Sequence, residues 1–270
     1  MAESRAAAAP VASTAPVAPL AKMAREQLRA EFLRYLRSPI FSVFTLALPV
    51  VFYLFFGIPN ATFQIAGVSG GTYLMASFGA YGVANVMLFT FGIGVALDRA
   101  RRMDSLIRAT PLRPAVFLLS RVAVALTFGL MALTAVSLFA MLTAGVRMEP
   151  ARWATFAGWL LVGALPFLAL GLAIGYLVSA NSAAAVVNLV ALPLFFASGI
   201  FVPVRNLPHF IATIAPYLPT YRYGQLAWGA VGASGTDRAL VDLAWLGAYT
   251  VVFLLIAGRA YLLEESRRFA

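Results

Sequence analysis

Residues 198–228 read SGIFVPVRNLPHFIATIAPYLPTYRYGQLAW, from Ser198 to Trp228. The stretch is apolar enough for a membrane, yet Pro203, Pro208, Pro216 and Pro219 cut it. Each proline removes a backbone donor and clashes with the preceding turn, so one straight spanning helix does not hold all four. Lipid accommodates irregular backbone only where protein or a water-filled cavity shelters it. The segment therefore predicts a broken, re-entrant helical hairpin on one side of a membrane bundle, carried by Gly199, Pro203, Leu207, Pro208, Pro216 and Pro219. Bundles with such an element usually move something, which points to transport.

The composition outside this stretch agrees. The chain of 270 residues is 62% hydrophobic and 11% charged, far from the average of a soluble domain. A single membrane domain fits better than one or two soluble ones. Nineteen of the twenty basic residues are arginine, and the net charge is +10. They lie beside apolar spans and form no basic stripe of the kind that binds nucleic acid. Anionic lipid headgroups and an acidic protein partner suit that placement. With no cysteine, disulfides and thiol catalysis are excluded, and the one histidine, His209, builds no histidine metal cluster.

Residues 1–19 are dominated by Ala, Pro, Val, Ser and Thr, and predict a disordered tail. Over 20–38, Leu20, Ala24, Leu28, Phe32, Tyr35 and Leu36 share one helical face while Lys22, Arg25, Glu26, Arg29 and Arg37 fall elsewhere. That pattern predicts an amphipathic helix lying in the headgroup layer. Residues 39–270 then form the transmembrane domain. Six spans are expected, at about Ile40–Ile58, Thr72–Leu97, Ala115–Ala144, Trp153–Ser179, Ala183–Val202 and Ala239–Leu262. The fold class is thus an all-α membrane protein: six transmembrane helices, an N-terminal interfacial helix, and a re-entrant hairpin between spans five and six.

Counting basic residues in the connections gives fourteen on the side of both termini and of the loop after the second span. Five lie on the opposite side, and Arg121 falls inside the third span. The asymmetry predicts cytoplasmic termini and an outward-facing Ser198–Trp228.

The loop Asp98–Pro114 reads DRARRMDSLIRATPLRP. Alternating charge at Asp98, Arg99 and Arg101 leads to the apolar pair Leu106–Ile107, and the loop closes at Pro111 and Pro114. A short amphipathic helix held between two long membrane helices can transmit force from a soluble partner. A positive loop that only fixes topology accounts for the arginines equally well. Six spans, an amphipathic N-terminal helix, this loop ending RATPLRP and the Pro-rich segment after the fifth span together resemble the permease subunits of ABC-2 type transporters, over roughly Leu20 to the C-terminus. The drug- and antibiotic-export branch is the nearest in appearance.

The resemblance implies that the loop is a coupling helix docking on a separate ABC ATPase subunit, with Asp98, Arg99, Arg101, Leu106, Ile107, Arg108, Thr110 and Pro111 at the contact. It also implies a homodimer of permeases in a prokaryotic inner membrane. One departure is Arg102, about where family members often place a glycine.

The chain has no phosphate-binding loop of its own. Such a loop ends Gly-Lys-Ser/Thr, whereas the single lysine, Lys22, stands between Ala21 and Met23. ATP and Mg are accordingly expected in the partner, with no cofactor or metal on this chain and no enzymatic activity. The competing reading is a secondary transporter or a channel-like protein without an ATPase. Ion coupling usually needs a carboxylate near the membrane midplane, and no span carries a central Asp or Glu. For an intramembrane enzyme the usual acid–base and metal constellations are missing.

Among polar residues within or beside the spans, Asn85, Asn188, Tyr217 and Tyr221 are candidates for a substrate path. For the asparagines an interhelical hydrogen bond is the commoner use and is favoured over a path, whereas an interfacial aromatic belt explains the tyrosines equally well. Gly171 and Gly175 form a GxxxG that predicts close helix packing. Pro49, Pro166 and Pro193 predict kinks.

Overall fold

The computed structural model describes residues 19–103, 114–236 and 238–269. The expected tail lies almost wholly outside them. Helix α1 (Leu20–Leu36) leads through Ser38 into α2 (Pro39–Phe52), which continues as a π turn, Tyr53–Gly57. Pro49 lies inside α2, and its missing N–H and ring disturb the ladder just before the turn widens.

A two-residue ribbon follows, β1 (Gln64–Ile65) pairing antiparallel with β2 (Val68–Ser69). Ala66 and Gly67 join the strands at φ 51° and 81°, the left-handed pair of a tight hairpin turn. The sequence reading had no strand here.

Ser69 then caps α3 (Gly70–Ala100), its hydroxyl accepting from the Thr72 N–H at 3.2 Å. The remaining helices are α4 (Pro114–Ala144), α5 (Pro150–Gly163), α6 (Leu165–Leu177), α7 (Ala180–Ala197), α8 (His209–Ile214), α9 (Pro219–Ala230) and α10 (Ala239–Phe269).

Among the described residues, five helical stretches are long and apolar enough to cross a membrane: Gly70–Ala100, Ala115–Ala144, Pro150–Leu177, Ala180–Ala197 and Ala239–Glu264. The segment expected as the first span is a shorter apolar helix, Val43–Gly57. In the third of the five, the prediction of a kink at Pro166 is met by a full break. Ala164 sits between α5 and α6, and Pro166 occupies the opening turn of α6.

Helix α3 is the axis of the bundle, packing against α2, α4, α6, α7 and α9. Its most apolar window is 83% buried, against 11% for α10, which leans mainly on α6 and α9. The α3–α6 seam is made by Gly171 and Gly175, as the GxxxG predicted. A Cβ on Gly175 would lie 2.8 Å from the Phe91 carbonyl oxygen, and one on Gly171 would lie 3.0 Å from that of Leu88. Only bare glycine lets the two backbones approach so closely.

An aromatic cluster lies nearer the start of α3. Phe201 sets its ring 5.1 Å from Phe52, 5.0 Å from Tyr81 and 4.7 Å from Phe196, joining α2, α3 and α7.

Candidate functional site

The segment after α7 turns sharply at Gly199, whose φ of +90° suits glycine alone. That reversal drops Phe201 into the core. A 3-10 turn at Val204–Asn206, helix α8, a second 3-10 turn at Ala215–Tyr217 and helix α9 follow. Each expected proline stands at the start of one of these pieces. Pro203 and Pro208 directly precede their helical pieces, Pro216 is the second residue of the second turn, and Pro219 opens α9. At such positions a missing N–H costs nothing, because the first helical donors have no partner anyway. Leu207 is half-buried between them.

Three side chains pin this segment to the bundle. Thr220 donates to the Leu194 carbonyl at 2.8 Å, in the last turn of α7. The Tyr223 hydroxyl donates to the Leu160 carbonyl at 2.9 Å, next to the α5–α6 break, where the Ala164 N–H is directed to Val162 instead. Trp228 Nε1 donates to Ser77 Oγ on α3 at 2.9 Å, while its ring stacks on Tyr73 with centroids 5.0 Å apart. An ion pair completes the attachment. Arg222 on α9 donates to Asp242 on α10 at 3.0 Å and lies 5.3 Å over the Trp245 ring.

The other end of α3 carries a second group of charges. Asp98 is buried and pairs with Arg121 of α4, itself only 2% exposed. Its second oxygen lies 3.3 Å from Arg34 of α1, which also reaches Glu31 at 3.5 Å. Tyr35 joins the group, donating toward the Thr90 carbonyl at 3.5 Å. Burial raises the pKa of its hydroxyl, an effect that Arg121 and Arg34 partly counter, so it stays a neutral donor. Arg99, one residue on, points elsewhere. It donates to the carbonyls of Gly175 and Val178 at 2.6 and 3.1 Å, at the end of α6. Its Nε lies 2.5 Å from the Glu264 carboxylate of α10, an ion pair in which that N–H is not aimed for a hydrogen bond.

The loop begins beyond this point. Arg101 is exposed, and Arg102 adopts φ +53°, the left-handed conformation that ends many helices and favours glycine. The residue type expected from the family pattern at this position thus has a backbone reason. Leu106, Ile107, Arg108, Thr110 and Pro111 lie outside the described residues.

The four candidate path residues do not converge. Asn85 is buried within α3, whereas Asn188 sits on the exposed face of α7 and donates to its own helix at Ala184, 2.9 Å away. Tyr217 is largely exposed, its carbonyl accepting from the Tyr249 hydroxyl, and Tyr221 is half-buried.

The amphipathic stripe of α1 also divides. Phe32 and Tyr35 turn inward with Glu31, the Phe32 ring 5.5 Å from Phe128, while Leu20, Leu28 and Leu36 remain exposed. Sequence reasoning missed Glu31, Arg34, Arg121 and Glu264 as site residues. The available signal was Arg121, since a charge inside an apolar helix needs a partner.

The chain as a whole is similar to known proteins. A profile of the family described as "ABC-2 type transporter" matches residues 26–227. The chain is also 30% identical over 235 residues to a protein of Bacillus subtilis (strain 168) named "Putative transport permease YvfS", covering 86% of this chain and 94% of that protein. A match over most of the transmembrane domain and near full-length coverage of a relative place the chain in one group: it belongs to the ABC-2 type transporter family, as a multi-pass membrane permease.

Proposed function

We propose that the chain is the membrane-spanning subunit of an ATP-driven exporter of the inner membrane, working as two copies with a separate ATP-binding subunit. The observation that carries this reading is family membership in a chain whose one lysine, Lys22, belongs to no phosphate-binding loop. The energy source then resides on another polypeptide, and the Asp98–Pro114 loop, with Arg101, Leu106, Ile107, Arg108, Thr110 and Pro111, is where that polypeptide docks. Asp98 and Arg99 at its base face into the bundle and support the docking site instead of forming its surface.

The chain crosses the membrane six times, with both termini cytoplasmic and Ser198–Trp228 outside. For the first crossing, α2 and its π turn run 14 and five residues, about 28 Å at 1.5 Å per residue, close to a hydrocarbon core of about 30 Å and within the range of about 17–25 residues that spans use. Helix α1 lies in the headgroup layer, its exposed Leu20, Leu28 and Leu36 turned to lipid. The broken segment α8–α9 is the re-entrant hairpin. The exposed face of α7 that carries Asn188 lines the path between the two copies, and drug-like molecules are the cargo class.

The test is reconstitution in vesicles with and without the cognate ATPase. Co-purification of the ATPase, hydrolysis only by the complex, and ATP-dependent substrate movement are expected. Robust hydrolysis by the isolated chain, or full transport with no ATPase present, overturns the reading.

A further inference from the structure

Asp98 and Arg99 are consecutive in the last turn of α3, and consecutive residues on a helix point about 100° apart. The structure uses that angle to send the two side chains to different partners. Asp98 reaches α1 and α4 through Arg34 and Arg121. Arg99 reaches α6 and α10 through the carbonyls of Gly175 and Val178 and the Glu264 carboxylate. Between α6 and α10, Tyr176 and Tyr261 meet edge to face at 5.6 Å, and Arg99 lies 5.7 Å over the Tyr176 ring. Gly94 leaves room for the first group: a Cβ there would lie 3.1 Å from the Tyr35 oxygen and 3.7 Å from Arg121 Nη2.

Two residues beyond Arg99 the chain leaves α3 at Arg101, so a displacement of the loop enters α3 through this turn, as it enters α4 directly at Pro114. A buried charge cannot be left behind when its partner moves, because an uncompensated charge in a dry site is costly. The partners therefore travel together.

We propose that Asp98 and Arg99 are positioning residues that divide a displacement of the Asp98–Pro114 loop into two branches, Asp98 drawing α1 and α4 and Arg99 drawing α6 and α10. This rests on the reading that an ATP-binding subunit acts on that loop.

The absence of cysteine makes the division measurable. A thiol-reactive fluorophore is attached at Leu36→Cys on α1 or at Leu263→Cys on α10, both exposed positions. Each is placed in the native background, in Asp98→Asn and in Arg99→Gln, and the permease–ATPase complex in lipid vesicles is followed on adding ATP. In the native background both labels respond. In Asp98→Asn the response at 36 falls by roughly tenfold while that at 263 persists, and Arg99→Gln gives the reverse, the scale of a single coupling interaction.

Transport per ATP hydrolysed falls in both variants, while the ATPase still co-purifies. The conservative variant Asp98→Glu, which keeps a carboxylate for both Arg34 and Arg121, retains the response at 36, which a merely structural loss does not explain. Equal responses of the two labels in both variants, equal losses in both, or loss of the response at 36 in Asp98→Glu overturns the division. Failure of the native chain to bind the ATPase overturns the exporter reading and this inference with it.

Discussion

Substituting one glycine for alanine at two places should shift stability in opposite directions. On Gly175 the new methyl meets the Phe91 carbonyl oxygen at 2.8 Å and the Gly92 oxygen at 3.1 Å. Ordinary contact begins near 3.4 Å, so α3 and α6 must separate by about 0.6 Å. The obstructing atoms belong to helix backbone and cannot rotate away. Overpacking of this kind costs about 1–3 kcal/mol. Because unyielding backbone puts the cost in the upper part of that range, about 2–3 kcal/mol, and alanine recovers about 0.5–1 kcal/mol of helix propensity, a net loss of about 1–2 kcal/mol remains.

Among the described residues, nothing beyond the neighbouring backbone of α10 itself comes within 4 Å of a Cβ added at Gly258, so there only the propensity gain remains. At about 2–4 °C per kcal/mol for a chain of this size, Gly175→Ala lowers the melting midpoint by about 2–8 °C and Gly258→Ala raises it by about 1–4 °C. Thermal unfolding in detergent, followed by size-exclusion chromatography of heated samples, reads both. A Gly175→Ala protein as stable as the native chain would refute the close α3–α6 seam.

Four further outcomes are expected. Asp242→Ala leaves Arg222 unpaired in a half-buried site and destabilises by about 3–5 kcal/mol, whereas Arg222→Met/Asp242→Leu is close to neutral, by the same thermal measurement. Tyr223→Phe strands the Leu160 carbonyl and costs about 1–3 kcal/mol. At Arg102, with φ +53°, Arg102→Gly preserves expression and ATPase co-purification, while Arg102→Val, β-branched in a left-handed position, reduces both. Leu106→Ala/Ile107→Ala removes two apolar side chains worth roughly 1.5–3 kcal/mol each where fully buried. Docking then weakens by at least about tenfold while membrane insertion stays normal, measured by pull-down of the ATPase.

Much of the bundle was legible in the chain itself. Long apolar runs state how many residues avoid water, because lipid leaves a backbone no alternative to internal hydrogen bonding, and this holds whatever the neighbours are. The four prolines of Ser198–Trp228 declared their breaks for the same local reason, and each stands at a helix or turn start in the structure. Gly171 and Gly175 announced close packing because only small residues permit it.

The partner of a charge was not legible. Glu31, Arg34, Asp98 and Arg121 lie up to 90 residues apart, and nothing local says that α1, α3 and α4 bring them together. Nor does the sequence say that Asp98 and Arg99, neighbours in the chain, reach different groups of helices. Asn85 and Asn188 looked alike as polar residues within spans, and tertiary packing alone buried one and exposed the other. Composition and period act over a few turns of chain, whereas pairing across a bundle depends on which helix faces which, and that is decided only when the whole set packs around α3.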